Sequence, residues 1–354
     1  MSTTDASTAT PPSDASSTAS GSRGSAYAEL SRQIRQAGLL NRRPAYYARH
    51  AALLLVLCAA SAAAFLTLGD SWWQLAVAAL LAIVSTQLGF FGHDAGHRQI
   101  ATAGRTNDLI GTLLACLGVG FSYQWWVSKH SRHHAHPNDQ DKDPDVGRGA
   151  LVFTTGQLLH SRRVARAFYR YQAWTFFPLL LLEAINLRVS SVRHLIADRR
   201  HRIPEGLLIA THLGVYLSAV FLVLPPLKAA VFIAVHQCLF GLYLGCSFAP
   251  NHKGMPMLSA EEAADYLRRQ VLTSRNVRGH WATDFALGGL NYQIEHHLFP
   301  SMPRPNLRHA KRIVENFCRS QEVAYLETGL IASYAQALRH LHTVGRAAQA
   351  EPSS

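Results

Sequence analysis

The sequence contains little cysteine, and the cysteines present are not spaced for joint chemistry. Five occur among 354 residues. No pair has the short spacing of a thiolate metal site. Four of them lie in apolar runs, where cysteine behaves as a small hydrophobic residue: Cys58, Cys116, Cys238 and Cys246. We therefore expect neither a disulfide framework nor a thiolate metal site.

The chain also lacks the pattern of a nucleic acid-binding protein, although its net charge is +12 with histidine counted as neutral. Its lysines and arginines are not interleaved with aromatic residues. They lie between and beside apolar runs, as in the cytoplasmic loops of membrane proteins. We therefore predict a membrane lipid environment and no nucleic acid partner.

Neither end of the sequence looks able to form a core. Residues 1–25 are rich in Ser, Thr, Ala, Gly and Pro, and they lack the charged start and apolar stretch of a signal peptide. Such a composition predicts a disordered N-terminal tail. Residues 345–354 are predicted to be a loose C-terminal tail, which leaves a single membrane domain at 26–344.

Four long apolar runs dominate that domain, at 51–68, 75–91, 206–224 and 227–248. Each is close to the ~20 residues that a helix needs to cross a bilayer. Very short turns, Asp70–Ser71 and Pro225–Pro226, join them in pairs. The sequence thus predicts an all-α integral membrane protein with four transmembrane helices in two hairpins. Two shorter apolar segments, 109–121 and 174–187, are predicted to be a re-entrant or buried segment and an interfacial helix.

The charge distribution predicts the orientation of this protein. Two hairpins place both short turns on one side of the membrane and the basic loops on the other. The positive-inside rule makes the basic side cytoplasmic. We therefore expect a multi-pass protein of a plasma (inner) membrane with both termini in the cytoplasm.

Histidine is the most unusual component, with 19 residues, and three clusters of it fall on the predicted cytoplasmic side. On a helix, side chains at i, i+3 and i+4 share one face. Neutral imidazole is the commonest metal ligand in proteins. Seven clustered histidines exceed what one ion can bind, so we predict a cytoplasmic helical cap that holds two metal ions. The predicted ligands are His93, His97, His130, His133, His134, His296 and His297.

Other residues near these clusters are predicted to take part less directly. His252 follows the fourth apolar run at the same depth and is a candidate eighth ligand. Gln293 has ligand spacing from the third cluster, but an amide is a poorer ligand than imidazole, so we expect an indirect contact or a contact with substrate. Candidates for orienting the ligands or bridging through water are Asn251, His136, Asp94, Asp139, Asp143 and Glu295. The other histidines, His280 included, occur singly and are interpreted as unrelated to the site.

The ligand chemistry does not select one metal, because imidazole suits zinc, copper, iron and nickel. The Glu-x-x-His pairing of soluble di-iron bundles is absent from the sequence. A metal transporter is a remote alternative. It would place ionisable residues inside the spans, where His212 and His236 occur, with Lys228 at an outer end.

The three clusters resemble the histidine boxes of the integral-membrane fatty acid desaturases. They read His-x3-His, His-x2-His-His and Gln-x2-His-His, and the likeness runs from about Pro44 to Leu307. The stretch Gly288–Pro300 is similar to the acyl-lipid or front-end branch, often labelled linoleoyl-CoA desaturase-like. The resemblance implies a non-haem centre of two iron ions held by the box histidines and His252. It also implies O2 as co-substrate and a new cis double bond in a fatty acyl chain carried by CoA or lipid.

The sequence departs from many eukaryotic members of that branch. It has no His-Pro-Gly-Gly haem motif of a fused cytochrome b5. We therefore expect a bacterial type of desaturase with an external electron donor, such as ferredoxin or a cytochrome b5-like protein with its reductase. The basic residues Arg162, Arg163 and Arg166 suit an acidic donor. Hydroxylation or another lipid oxidation on the same centre remains the alternative reaction.

Overall fold

The regular secondary structure of the described residues is almost all helical, as predicted. A computed structural model describes residues 23–198, 200–258 and 262–347. The first helices are α1 (Arg23–Gln36), α2 (Pro44–Leu68), α3 (Gln74–Gly96), α4 (Gly104–Thr112), a π-helix (Leu113–Val119) and α5 (Tyr123–Ala135). The middle of the chain forms α6 (Thr155–Leu159), α7 (Arg163–Tyr169), α8 (Gln172–Leu180), α9 (Glu183–Ala197), α10 (Arg202–Val223) and α11 (Pro226–His252). The last part forms a 3₁₀ turn (Glu262–Ala264), α12 (Tyr266–Leu272), α13 (Trp281–Ala286), α14 (Gln293–Leu298), α15 (Arg304–Ser320) and α16 (Leu330–Ala347). Strands β1 (Asn276–Val277) and β2 (Glu327–Thr328) pair in parallel.

Four helices, α2, α3, α10 and α11, are long and apolar enough to cross a membrane, in agreement with the predicted hairpins. Proline opens both α2 and α11, a position where its missing N–H costs no helical hydrogen bond. Half of the apolar window of α3 is buried, compared with 17% for α2. Helices α3 and α11 therefore form the inside of the bundle, whereas α2 and α10 present their side chains outward.

Both hairpin turns lie at the same end of the bundle. Lys228 Nζ, at the start of α11, lies 2.7 Å from Asp70 Oδ1 in the first turn. The rings of Phe65 and Phe232 meet nearby, with centroids 5.4 Å apart. These contacts join the two hairpins, so the opposite end of the bundle carries the histidines.

The inner helices extend beyond their apolar runs at the histidine end. Helix α3 continues five residues past the predicted end at 91, and α11 continues four residues past 248. These polar extensions carry His93 and His252. Hydropathy marks the apolar stretch, but packing against the cap determines where each helix ends.

The two shorter apolar segments both contain a sharp bend. The axes of the α4–π-helix segment and α5 differ by 113°, and those of α8 and α9 by 73°. The bend between α8 and α9 packs against α11 at Gly241 and Gly245. A Cβ on Gly241 would lie 2.7 Å from the Leu180 carbonyl oxygen, so only glycine permits this approach. The segment 174–187, predicted as one interfacial helix, is instead divided between two helices.

The cap packs on the histidine end of the bundle. Its apolar core joins α1, α12, α14 and α15 through side chains such as Leu30, Leu298 and Val314. Helix α1 already begins at Arg23, inside the stretch predicted to be disordered, and α16 continues to Ala347, past the predicted start of the tail. Most of both predicted tails, 1–22 and 348–354, lies outside the described residues.

Candidate metal centre

Four helices bring the predicted ligands together at the junction between bundle and cap. Helix α3 carries His93 near its end, and His97 follows it directly. Helix α5 carries the second cluster and the short helix α14 carries the third. Helix α11 ends at His252. Rings from different helices pack directly on one another. The centroids of His134 and His297 are 4.2 Å apart, and those of His93 and His296 are 4.8 Å apart. All eight predicted ligands belong to one continuous cluster.

The cluster divides into two groups, and each of them combines histidines from more than one box. Within each group the available ligand nitrogens all lie within 4.8 Å of one another. One group is His93, His97, His130 and His296, and the other is His133, His252 and His297. His134 lies between them: its Nε2 is 3.1 Å from Nε2 of His130, and its ring stacks on that of His297. Box spacing predicted the convergence but not this division.

The distances within the groups suit shared metal ions. Two imidazole nitrogens bound to one tetrahedral ion at ~2.0–2.1 Å are separated by about 3.3 Å. The observed Nε2–Nε2 separation is 3.3 Å between His133 and His252. Among the described residues, Nε2 of His93, His97, His296 and His297 is buried without a hydrogen-bond partner. Such atoms are costly to bury unless something binds them, so the donor set fits two metal ions.

Electrostatics favours the ligand form of these histidines. Burial, followed by repulsion from neighbouring imidazoles, holds the pKa of His97, His130, His134, His296 and His297 well below the usual value. The rings are therefore neutral near pH 7, and neutral imidazole is the form that binds metal.

Each ring of the second group is oriented through its Nδ1. His133 Nδ1 lies 3.0 Å from both oxygens of Asp143, and His252 Nδ1 lies 3.0 Å from the Thr273 carbonyl. His297 Nδ1 lies 2.9 Å from Gln270 Oε1. Because these acceptors engage Nδ1, Nε2 is the nitrogen of each ring that can face an ion. Asp143 was among the predicted orienting residues, whereas Thr273 and Gln270 were not, because no local pattern marks them.

Asp94, which was predicted to orient a histidine ligand, contacts an arginine more closely than it contacts a histidine. Its Oδ1 makes only a long contact of 3.5 Å with His93 Nδ1. Its Oδ2 lies 2.8 Å from a terminal nitrogen of Arg304, which also donates to the Phe90 carbonyl at 2.7 Å. Both charged side chains are buried. Sequence analysis missed Arg304, which lies more than 200 residues from its partner.

Gln293 and Asn251 lie against the second group. Gln293 Nε2 is 2.9 Å from His252 Nε2, and Asn251 Nδ2 donates to Gln293 Oε1 at 3.2 Å. A rotated Gln293 amide would present its oxygen to the ring or to an ion instead. Both residues are therefore placed for the indirect role that the sequence suggested.

Three other predicted orienting residues do not touch the box rings within the described structure. His136 directly follows α5 and is half-buried, and Asp139 accepts from two backbone N–H groups of its own loop. Glu295 points away from the histidines, as its helical position predicted, and bonds Asn276 Nδ2 at 2.7 Å and Tyr325 Oη at 2.8 Å. Burial raises the pKa of Glu295 to about 7. His280, considered unrelated, is exposed at the start of α13.

A cavity of about 280 Å³ adjoins the histidines. Its lining includes His93, His130 and His252 together with apolar side chains such as Leu88, Leu244 and Phe248. Charged side chains, Lys129, Asp145 and Lys253 among them, also line it. This mixed lining suits an apolar chain with a polar end, held against the histidine groups.

Comparison with known proteins identifies the family. The model of the fatty acid desaturase family matches residues 70–329. The chain belongs to the fatty acid desaturase family. The predicted resemblance is thus confirmed, and so is the branch, because relatives with front-end names are similar to this chain.

Three relatives illustrate the similarity. An acyl-lipid (9-3)-desaturase of Physcomitrium patens is 29% identical over 77% of this chain and 54% of its own length. A Delta(6)-fatty-acid desaturase of Caenorhabditis elegans is 31% identical over 79% of this chain and 66% of its own. A Delta(8)-fatty-acid desaturase of Helianthus annuus is 26% identical over 90% and 72%. The chain therefore spans about half to two thirds of the length of the first two relatives.

Proposed function

We propose that this chain is a membrane fatty acid desaturase, which introduces a cis double bond into a fatty acyl chain. The observation that supports this most is the pair of histidine groups on the wall of an otherwise largely apolar cavity. The proposed reaction takes two hydrogens from adjacent methylenes. With O2, two electrons from an external donor and two protons, it yields the alkene and two waters.

The proposed cofactor is a pair of iron ions. The groups around His296 and around His297 would hold one ion each, with His134 between them. When bound, iron supplies the O2 activation needed to attack a methylene that has no acidic proton. The protein's own residues have simpler tasks. The apolar walls align the chain and exclude water, and Asp143, Thr273 and Gln270 fix the ring orientations.

We further propose that the histidine end of the bundle faces the cytoplasm of a bacterial-type plasma membrane. Exposed arginines are concentrated at that end, which the positive-inside rule assigns to the cytoplasm. They include Arg49, Arg98, Arg193 and Arg202. At the other end, Lys228 is paired with Asp70.

We propose an acidic, ferredoxin-like or cytochrome b5-like protein as the electron donor. Arg162 and Arg163 are exposed at the start of α7 and suit such a partner. Arg166 is less suitable as a docking residue, because its guanidinium donates to the carbonyls of Leu159 and Ser161 at 2.6 and 2.9 Å. Its contacts hold α6 and α7 together.

The test is the lipid profile of a host membrane that expresses the chain in air. New unsaturated acyl chains should appear with the wild type and disappear with His297→Ala, but persist with His342→Ala, which changes an exposed histidine of α16. Hydroxylated chains would favour the alternative oxidation on the same centre. Bound zinc, with no new lipid when candidate donors are supplied, would refute the proposal.

A further inference from the structure

A second cavity, of about 450 Å³, lies between the starts of α2 and α15, and no box histidine lines it. We call it the arginine groove. The residues that line it are Arg42, Arg43, Pro44, Ala45, Tyr46, Arg49, Pro305, Asn306 and His309. No acidic residue is among these described lining residues, so three guanidinium groups give the groove a strong positive charge.

Hydrogen bonds to neighbouring residues hold the side chains of the arginine groove in place. Arg42 donates to the Ser301 carbonyl at 3.0 Å, and Arg43 Nε donates to Asn306 Oδ1 at 2.8 Å. Asn306 is itself buried and donates to the Leu39 carbonyl at 2.7 Å. These bonds restrain two arginines with other N–H groups still available. The first turns of both α2 and α15 line the groove, and the N-terminal ends of helices add positive potential.

The position of the groove at the membrane boundary identifies the class of ligand. Helix α2 begins its candidate span at Pro44. Arg49 lies five residues further, about 7.5 Å along the axis. It makes no hydrogen bond or ion pair within the described residues, and it is exposed next to Leu53 and Val56, which are 44% and 64% exposed. An arginine at that depth on an outward face meets lipid headgroups, where a soluble protein has poor access.

We propose that the arginine groove binds the phosphate of an anionic phospholipid headgroup in the surrounding bilayer. Guanidinium groups bind phosphate oxygens with paired N–H donors, and basic pockets beside membrane helices suit anionic headgroups. A zwitterionic lipid would bring its own cation against three arginines and so bind less well. This site is independent of the proposed desaturation.

The test uses the full chain in nanodiscs of equal phosphatidylglycerol and phosphatidylcholine, followed by native mass spectrometry of retained lipid. The wild type should retain phosphatidylglycerol preferentially. Each arginine near an anionic surface contributes roughly a fivefold preference. In the variant Arg42→Gln/Arg43→Gln/Arg49→Gln, the preference for phosphatidylglycerol over phosphatidylcholine should therefore fall by on the order of 100-fold.

A second variant and a matched control separate the groove from charge in general. Ala45→Trp fills the groove without changing charge and should also abolish the preference. The control Arg193→Gln/Arg200→Gln/Arg202→Gln removes three arginines outside the groove, near the start of α10. It should retain the preference for phosphatidylglycerol. Equal losses in both triple variants, or wild-type retention in Ala45→Trp, would overturn the proposal.

Two further measurements distinguish a lipid from other possible occupants of the groove. Excess inorganic phosphate should not displace the retained lipid, because the acyl chains hold the lipid in the bilayer. Displacement by phosphate would assign the groove to a free anion. If an acidic soluble protein, but not phosphatidylglycerol, protected Arg49 from a chemical reagent that modifies arginine, the groove would be assigned to a protein partner. Either result would overturn the assignment to lipid.

Discussion

Replacing Asp143 with asparagine should remove one of the two proposed metal ions. Three donors meet this carboxylate: His133 Nδ1, the Asn138 N–H at 2.8 Å and the Asp145 N–H at 2.9 Å. An amide offers only one oxygen and turns its NH2 group toward at least one of these donors. The substitution removes a charge-assisted bond to His133 and leaves a buried donor unpaired, at a cost of ~1–3 kcal/mol.

That cost should appear as weaker binding at the second group, which contains His133. Loss of such an orienting partner typically lowers metal affinity about 10- to 100-fold, which agrees with the cost estimated from hydrogen bonding. The measurement is iron per chain after equilibrium dialysis against a graded series of chelator concentrations. The wild type should keep two ions over a range of chelator in which Asp143→Asn keeps one.

The control for this experiment lies in the same loop. Asp139→Asn makes the same chemical change at a half-buried carboxylate that, in the described structure, contacts only backbone N–H groups of its own loop and Lys142. It should retain both ions. If Asp143→Asn retained both ions at wild-type affinity, or lost the two in parallel, the assignment of His133 to a separate second group would be wrong.

Three further perturbations follow from the contacts described above. Arg304→Gln leaves the buried Asp94 carboxylate with only its long contact to His93, so the free energy of unfolding measured in detergent should fall by ~3–5 kcal/mol, and an unchanged melting temperature would contradict the buried ion pair. Gly241→Leu forces a side chain against the bend between α8 and α9 and should cost at least ~1–3 kcal/mol, whereas Gly206→Leu, at an open helical position, should cost much less. Arg162→Gln/Arg163→Gln should slow reduction by an acidic donor and flatten its salt dependence, and unchanged rates with every donor tested would exclude this surface.

Much of the fold follows from the sequence because its signals are local. Apolar runs of bilayer length predict α2, α3, α10 and α11, and the short turns between them predict the hairpins. Helical spacing of histidines predicts that each box presents one face. The same spacing correctly turns Glu295 away from the metal side. Helical spacing of His93 and His97 predicted that α3 extends past its apolar run, whereas hydropathy alone did not mark the corresponding extension of α11 that carries His252.

Most residues that orient the site could not be predicted, because their partners are distant in sequence. Arg304 meets Asp94, and Gln270 meets His297, through tertiary contacts that no local spacing records. The bend between α8 and α9 is a similar case. Gly241 and Gly245 permit a close approach to α11, but only the fold shows that the approaching element is this bend rather than another span.

The site is also the joint between the membrane bundle and the cap. The buried Arg275 shows this best: its Nε donates to the Pro250 carbonyl at 2.5 Å, and its backbone N–H donates to the Asn251 carbonyl at 3.0 Å. It thereby ties the cap to the end of α11 directly before His252. Histidines from both sides of this joint enter each metal group, so an ion bound there would link the bundle to the cap. Metal affinity and the stability of the joint should accordingly be coupled, because neither group of ligands is complete within the bundle or within the cap alone.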